Sequence, residues 1–397
     1  MNEEKKPIQM HPEPQFAPPS VEEIQGRIAR VQTRMEKEKI DCYVTFSPDN
    51  IFYLTNFANL IHERPFILVV PKSGVPRFLV PKLEVPHAKN RVIGDIEIVS
   101  YFEFPAPAGE TWIDNLHPLL SDGTRFGVES VCPLQIYEAI PKERVQTDII
   151  DDLRMIKSEY EVGRIAYACA LATEAHNRIL AQARPGLTLS EISSEINKMM
   201  MGQILSDYPS TNILATRLIV LFQPGSVSDD PHNYTNVNMA MEVGGPHVSI
   251  ISAVINGSGA EVERTFFLGH VPEKAKRPFE VMLEARRVAF ELAVPGNLMS
   301  EVDRRTKEVF RKSGYEEFIL HRTGHGIGVT GHEAPFLAEG YERMIEPGMF
   351  FSIEPGVYLP GVGGFRHSDT VMITDNGNIM LTDGPIQIEE LTFPTTV

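Results

Sequence analysis

The chain has few cysteines, a single tryptophan and a deficit of positive charge. Its three cysteines, Cys42, Cys132 and Cys169, form no CxxC pair and no spacing of a disulfide framework. That excludes a disulfide-stapled scaffold and leads us to expect a reducing, cytoplasmic setting. Lys and Arg number 37 against 53 Asp and Glu, a formal charge of −16. Such acidity speaks against nucleic acid or an anionic membrane as the partner, since both recruit clustered cations. No apolar run approaches the roughly 20 residues that span a bilayer, and Met1-Asn2-Glu3-Glu4-Lys5-Lys6 does not resemble an apolar signal core. The expectation is a soluble protein with a small-molecule substrate.

What is present suffices for two domains with sizeable cores, because 42% of 397 residues are hydrophobic. Residues 1–19 carry five prolines and little periodicity, and read as an extended arm without a core of its own. Residues 20–152 read as a small α/β domain. Ser20 and Glu23 have capping-box spacing, and Val21, Ile24, Ile28, Val31 and Met35 mark one helical face. Strands are expected at 42–46, 66–70 and 77–80, each bounded by Pro or Gly punctuation. The remainder, 153–397, begins with an Ala-rich helix over 159–183 that stops at Arg184-Pro185-Gly186. Within it Pro185-Gly186 followed by Ser190-Glu191-Ile192 is echoed by Pro295-Gly296 followed by Ser300-Glu301-Val302. The echo suggests two related halves facing each other across a sheet, with Ser190 and Ser300 as caps. Two ordinary helix connections are the plainer alternative.

Four segments of the C-terminal part carry polar residues in a dense pattern. They are Pro231-His232-Asn233, the run from Gly257 to Thr265, His321-Arg322-Thr323-Gly324-His325-Gly326-Ile327-Gly328, and Phe351-Ser352-Ile353-Glu354-Pro355-Gly356 with Arg366-His367-Ser368-Asp369 downstream. Together they resemble the pita-bread metallopeptidases, the group of Xaa-Pro dipeptidase, aminopeptidase P and methionine aminopeptidase. The resemblance implies an α/β (α+β) architecture with a creatinase/prolidase-type N-terminal domain and a C-terminal pita-bread domain. It also implies a duplicated catalytic domain, and a homodimer in which each N-terminal domain closes its partner's pocket.

In that family two ions are held by Asp, Asp, His, Glu and Glu. Position by position these fall on Ile250, Glu261, His325, Glu354 and Ser368. Isoleucine binds no ion, and a neutral hydroxyl does not bridge two cations. The sequence therefore leads us to expect no resident metal, with one weak ion at Glu261, His325 and Glu354 as the fallback. A chain that keeps the shell and loses the cage resembles the metal-free creatinase branch, and Glu263-Arg264-Thr265 supports that likeness. The expected activity is then hydrolysis of a C–N bond in a small nitrogenous metabolite, without metal. The resemblance makes His232 the base that activates water, and Glu263 and Glu354 the holders of the nitrogen-bearing group. His325 and His332 orient the oxygen and return the proton, while Arg64 and Glu261 bind substrate. Two alternatives stand beside it: an Xaa-Pro peptidase with a degenerate metal site, and a non-catalytic pita-bread binding protein. His367, one strand position from Ser368, is expected to face away from the pocket.

Overall fold

The structure, a computed structural model, describes residues 11–60, 63–141, 143–234 and 236–395. It divides into two compact units, one of Ala17–Arg154 and one of Met155–Val397 with the residues up to Phe16. The division places the described end of the N-terminal arm with the second unit. Gln15 N donates to Gly163 O at 2.9 Å, and the Phe16 ring packs edge-on against Tyr167 at 5.4 Å. Residues 11–16 are thus docked chain, whereas residues 1–10, also assigned to the arm, lie outside the described residues. Among the described residues no helix is long and apolar enough to cross a membrane.

The first unit opens with the helix Val21–Glu38, where the Ser20 side chain caps Glu23 N and Ile24, Ile28, Val31 and Met35 are buried. Glu23 also forms an ion pair with Arg27 at 2.9 Å. The strands are β1 (Cys42–Thr45), β2 (Ile67–Pro71), β3 (Arg77–Pro81), β4 (Glu97–Tyr101), β5 (Phe126–Val128) and β6 (Arg144–Gln146). They form a mixed sheet in the order β4-β3-β2-β1-β5-β6. Buried Val44, Ile67, Val69 and Leu79 join Leu116, Phe126 and Val128 in its core.

In the second unit, Ser158 and Glu161 form a reciprocal capping box that starts the helix Glu159–Gln182. Its sheet is built from β7 (Arg217–Gln223), β8 (Gly244–Val254), β9 (Gly259–Leu268), β10 (Gly324–Gly326), β11 (Glu333–Leu337), β12 (Phe350–Ile353) and, after the hairpin β13 (Gly356–Leu359) and β14 (Gly363–Arg366), β15 (Ser368–Thr374). The order is β11-β10-β12-β15-β9-β8-β7. One helix pair, Glu159–Gln182 and Leu189–Asp207, packs over β7 to β9, and the pair Glu273–Leu292 and Met299–Lys312 contributes to the core over β12 and β15.

The repeated Pro-Gly turn is a structural repeat. Gly186 (φ 86°) donates its N–H to Met241 O at 2.9 Å, and Gly296 (φ 87°) donates to Ile345 O at 3.0 Å. The helix caps differ from the sequence expectation. Thr188, not Ser190, caps its helix in a box with Glu191. Ser300 lies inside its helix and donates to Glu342 at 2.9 Å, while Leu298 at the cap position gives no side-chain bond. Thr188 wins because it stands three residues before an acid that returns the bond.

Candidate active site

The face of the sheet opposite the helices carries the polar residues. On β9 the side-chain alternation puts Glu261 and Glu263 on this face, and Val262 and Arg264 on the other. Across the sheet Ile250 and Ser368 both pair with Glu263, and His325 pairs with Ser352. Thr370 ties the row together, since its hydroxyl bonds both the N–H (2.8 Å) and the carbonyl (2.9 Å) of Glu261. Glu354, just past β12, is held by its own N–H donating to Thr323 O at 2.8 Å.

These elements bring together Glu261, Glu263, His325, His332 and Glu354. The carboxylates of Glu261, Glu263 and Glu354 each offer an oxygen within 4.8 Å of the others, and Glu261 stands in the same relation to His325 and His332. Oε1 of Glu261 accepts from Ser352 Oγ at 2.7 Å and Ser368 Oγ at 3.0 Å. His325 is fully buried, and its Nδ1 lies 3.1 Å from Gly326 O. That carbonyl takes the Nδ1 proton and leaves Nε2 for the pocket. Nε2 sits 3.3 Å from Glu354 Oε1 and 3.8 Å from Glu261 Oε1, buried and without a hydrogen-bond partner among the described residues. His332 stacks on the His325 ring at 3.6 Å and brings its Nε2 to 3.9 Å from Glu261 Oε2. Its side chain is 59% exposed, so it forms the rim of the pocket.

The electrostatics follow from burial against close partners. Burial alone lowers the His325 pKa, but the pull of Glu261 and Glu354 outweighs it and pushes the pKa up to about 10. Burial works against ionisation of Glu354 and Glu261, yet His325 holds both carboxyls below their usual range. For His332, partial burial and the charge of His325 lower the pKa. Glu263 goes the other way, raised to about 8 by burial, with the charges of Glu261 and Glu354 adding to the rise and Arg366 opposing it. A cation beside Glu261 and Glu354 would cancel the repulsive part of that rise.

His232 and Arg64 complete the sequence-selected set. The exposed His232 has its ring 6.4 Å from that of Tyr234. Arg64 belongs to the first unit, where it pairs with Glu103 at 3.1 Å. Sequence reasoning missed Arg366, Tyr358 and Tyr234. Arg366 NH2 donates to Glu263 Oε1 at 2.8 Å, its Nε meets Glu263 Oε2, and NH1 reaches Tyr358 OH at 3.0 Å. Tyr234 lies within electrostatic range of both Arg366 and Glu263. Arg366 ends β14, two residues before Ser368, and that proximity was the available signal. His367, fully buried, meets Phe279 edge-on at 5.3 Å on the helix side.

Fold and pocket together define a pita-bread hydrolase whose site is assembled from carboxylates and imidazoles. The chain belongs to metallopeptidase family M24, whose pattern matches residues 163–375, and the creatinase/prolidase N-terminal domain pattern matches 27–156. It is 28% identical to an Xaa-Pro dipeptidase from Pyrococcus horikoshii, over 90% of this chain and 96% of that one. Among solved structures it is similar to an Xaa-Pro dipeptidase from Bacillus anthracis (TM-score 0.77, 25% identity, 94% of this chain and 99% of that one). It is also similar to dipeptidase PepE from Mycobacterium ulcerans (TM-score 0.79, 25% identity, 95% and 100%).

These findings correct the metal-free, creatinase-type expectation and the absence of a cofactor that went with it. The relatives are named as dipeptidases, and the family uses a divalent metal. Two physical reasons lie in the pocket. Loss of ligands at Ile250 and Ser368 still leaves the acids Glu261 and Glu354 at 3.8 Å and 3.3 Å from His325 Nε2. Glu263, the residue that suggested a holder of a cationic substrate group, is already engaged by Arg366 on both oxygens. The five-ligand, two-ion cage does not fit this chain; a single-ion site fits, because the buried His325 Nε2 is a ligand atom aimed between two acids.

Proposed function

We propose that the protein is a metal-dependent peptidase of the Xaa-Pro dipeptidase type, cleaving the amide bond of short peptides at a single-ion site of Glu261, His325 and Glu354. The observation that carries this reading is the position of His325 Nε2, a buried nitrogen that has no hydrogen-bond partner among the described residues and faces two carboxylates held ionised. The names of the relatives supply the substrate class.

A divalent ion bound there supplies Lewis acidity, polarising a carbonyl and easing the ionisation of water. The chain's own residues do the rest. Gly326 O fixes the His325 tautomer, and Ser352 and Ser368 fix the orientation of Glu261. Glu354, 8% exposed and 3.3 Å from His325 Nε2, would hold the ion together with Glu261. His332 at the rim presents an imidazole to the substrate carbonyl or the departing nitrogen. Ser368 and Ile250 hold no charge and shape the floor.

Release of proline from Xaa-Pro dipeptides tests the reading, with purified protein stripped of metal and then supplied with Mn2+ or Co2+. The expected result is metal-dependent release that is lost in His325→Ala and Glu354→Gln. A protein that retains its ion yet cleaves no Xaa-Pro dipeptide would refute the assignment of substrate.

A further inference from the structure

A buried acid outside the pocket is tied to two of the residues assigned to the ion. Asp303 lies inside the helix Met299–Lys312 and has no exposed surface. An acid is a poor choice mid-helix, and a buried one persists only where donors surround it. Here donors come from three directions. Oδ1 accepts from Thr323 N (2.8 Å) and Thr323 Oγ1 (2.7 Å), and Oδ2 accepts from Glu339 N (2.8 Å) and Lys307 Nζ (2.8 Å). Thr323 immediately precedes β10, and Glu339 lies just past the end of β11. Gly324 and His325 pair with Leu337 and Phe336, so the carboxylate grips both strands of this edge at the same end.

Building on the metal-dependent reading of the pocket, we infer that Asp303 is a positioning residue for the ion and acts through Thr323. Thr323 serves two ligands at once. His325 follows it on β10, and Glu354 N donates to its carbonyl at 2.8 Å. Its own N–H and hydroxyl both end on Asp303. The carboxylate thus fixes the backbone from which the imidazole and one acid approach the ion. Glu261 is set separately, by the Thr370 hydroxyl that bonds its N–H and its carbonyl. Loss of the grip therefore moves His325 and Glu354 as a pair against a stationary Glu261. Metal–ligand distances tolerate about 0.2 Å, so a displacement that leaves the strands paired still weakens the hold on the ion. Lys307, with 17% of its side chain exposed, engages the other oxygen and balances the charge of the acid.

The test is calorimetric titration of metal-free protein with Mn2+, with the visible absorption of the Co2+-loaded forms as a reading of coordination geometry. Thr323→Val keeps the shape and the N–H and removes the hydroxyl donor, which Thr323→Ser restores. Thr323→Val and Asp303→Asn are expected to bind Mn2+ about 10–100-fold more weakly than the native protein and to shift the Co2+ bands. Thr323→Ser is expected to match the native protein in both. Lys307→Met takes the ammonium from the same carboxylate, and is expected to lower the melting temperature while Mn2+ affinity stays in place. Native affinity in Thr323→Val or in folded Asp303→Asn overturns the inference. An equal loss in Lys307→Met also overturns it, because the effect is then general destabilisation. If Asp303→Asn does not fold, the comparison of Thr323→Val with Thr323→Ser decides. Failure of the functional reading looks different. A native protein that binds Mn2+ but releases no proline, with the variants weakened, defeats the substrate assignment and sustains this inference; a native protein that binds no ion defeats both.

Discussion

Replacing Asp369 by Asn should cost the second unit much of its stability, although Asp369 lies outside the pocket. On the helix side of the sheet, Asp369 Oδ1 accepts from Arg264 NH2 (2.9 Å) and Thr382 Oγ1 (2.9 Å), and Oδ2 accepts from Arg286 NH2 (2.7 Å). Asp369 and Arg264 have no exposed side-chain surface. Arg264 in turn donates to Glu263 O at 2.7 Å and to Ser368 O at 2.9 Å, which staples β9 to β15 beneath the row of pocket residues. Asn keeps the shape and removes the charge, leaving two buried guanidinium groups facing an amide. Breaking a buried charge pair from one side costs about 3–5 kcal/mol, against a total of roughly 5–15 kcal/mol for a domain. Burial opposes ionisation of Asp369, but Arg264 and Arg286 hold its carboxyl below the ordinary range. Its contribution is therefore present above the unfolded carboxyl pKa of about 3.9 and is lost as pH falls through the lower folded value. Urea denaturation followed by far-UV circular dichroism should show the deficit at pH 7, and native and variant should converge as the medium is acidified below about pH 4. Hydrogen exchange should be faster in β9 and β15. A deficit under about 1 kcal/mol at pH 7, or one that does not shrink in acid, refutes the clamp.

Gly326→Ala should disrupt the pocket by sterics alone, because a Cβ there would stand 2.5 Å from Ala334 O, a backbone atom that cannot swing aside. The expected cost is about 1–3 kcal/mol with loss of bound metal, read by thermal melting and elemental analysis; an unchanged melting temperature contradicts it. His232→Ala should lower kcat on an Xaa-Pro dipeptide by about 100-fold if the residue moves a proton, with metal content unchanged. An unchanged kcat places His232 outside the chemistry. Family resemblance implies a homodimer, so light scattering should give a mass near twice 44.4 kDa. A mass of one chain at micromolar concentration counts against it.

The sheet and helices of both units were legible wherever local rules decide. Cys42–Thr45, Ile67–Pro71 and Arg77–Pro81 are apolar segments cut by Pro and Gly, and Glu159–Gln182 has a capping box at one end and a Pro-Gly stop at the other. Strand alternation likewise puts Glu261 and Glu263, two residues apart, on one face. Partners brought together by the tertiary fold were not legible. Arg366 and Glu263 are 103 residues apart, and neither local pattern contains a hint of the other. Ser190 and Ser300 failed as caps because a serine near a helix start is common, and the reciprocal acid at Glu191 serves Thr188.

The same gap between local and tertiary information accounts for the reversal over metal. Read residue by residue, Ile250 and Ser368 are missing ligands, and ligand loss implies metal loss. Read as a charge distribution, the pocket tells the opposite. Three carboxylates lie within a few ångströms and only one is matched by an internal cation. Such a pocket has two ways to relieve the repulsion: protonate an imidazole and an acid, or take up a divalent ion. His325, pushed up to about 10 by Glu261 and Glu354 although burial opposes it, is the group that takes the proton on the first route. Any ion that enters must displace the His325 proton, so metal affinity should rise with pH and binding should release a proton to the buffer. Calorimetry in two buffers of different ionisation enthalpy reads that proton directly. Binding that releases none would mean that His325 is not a ligand, and the single-ion site would lose its nitrogen.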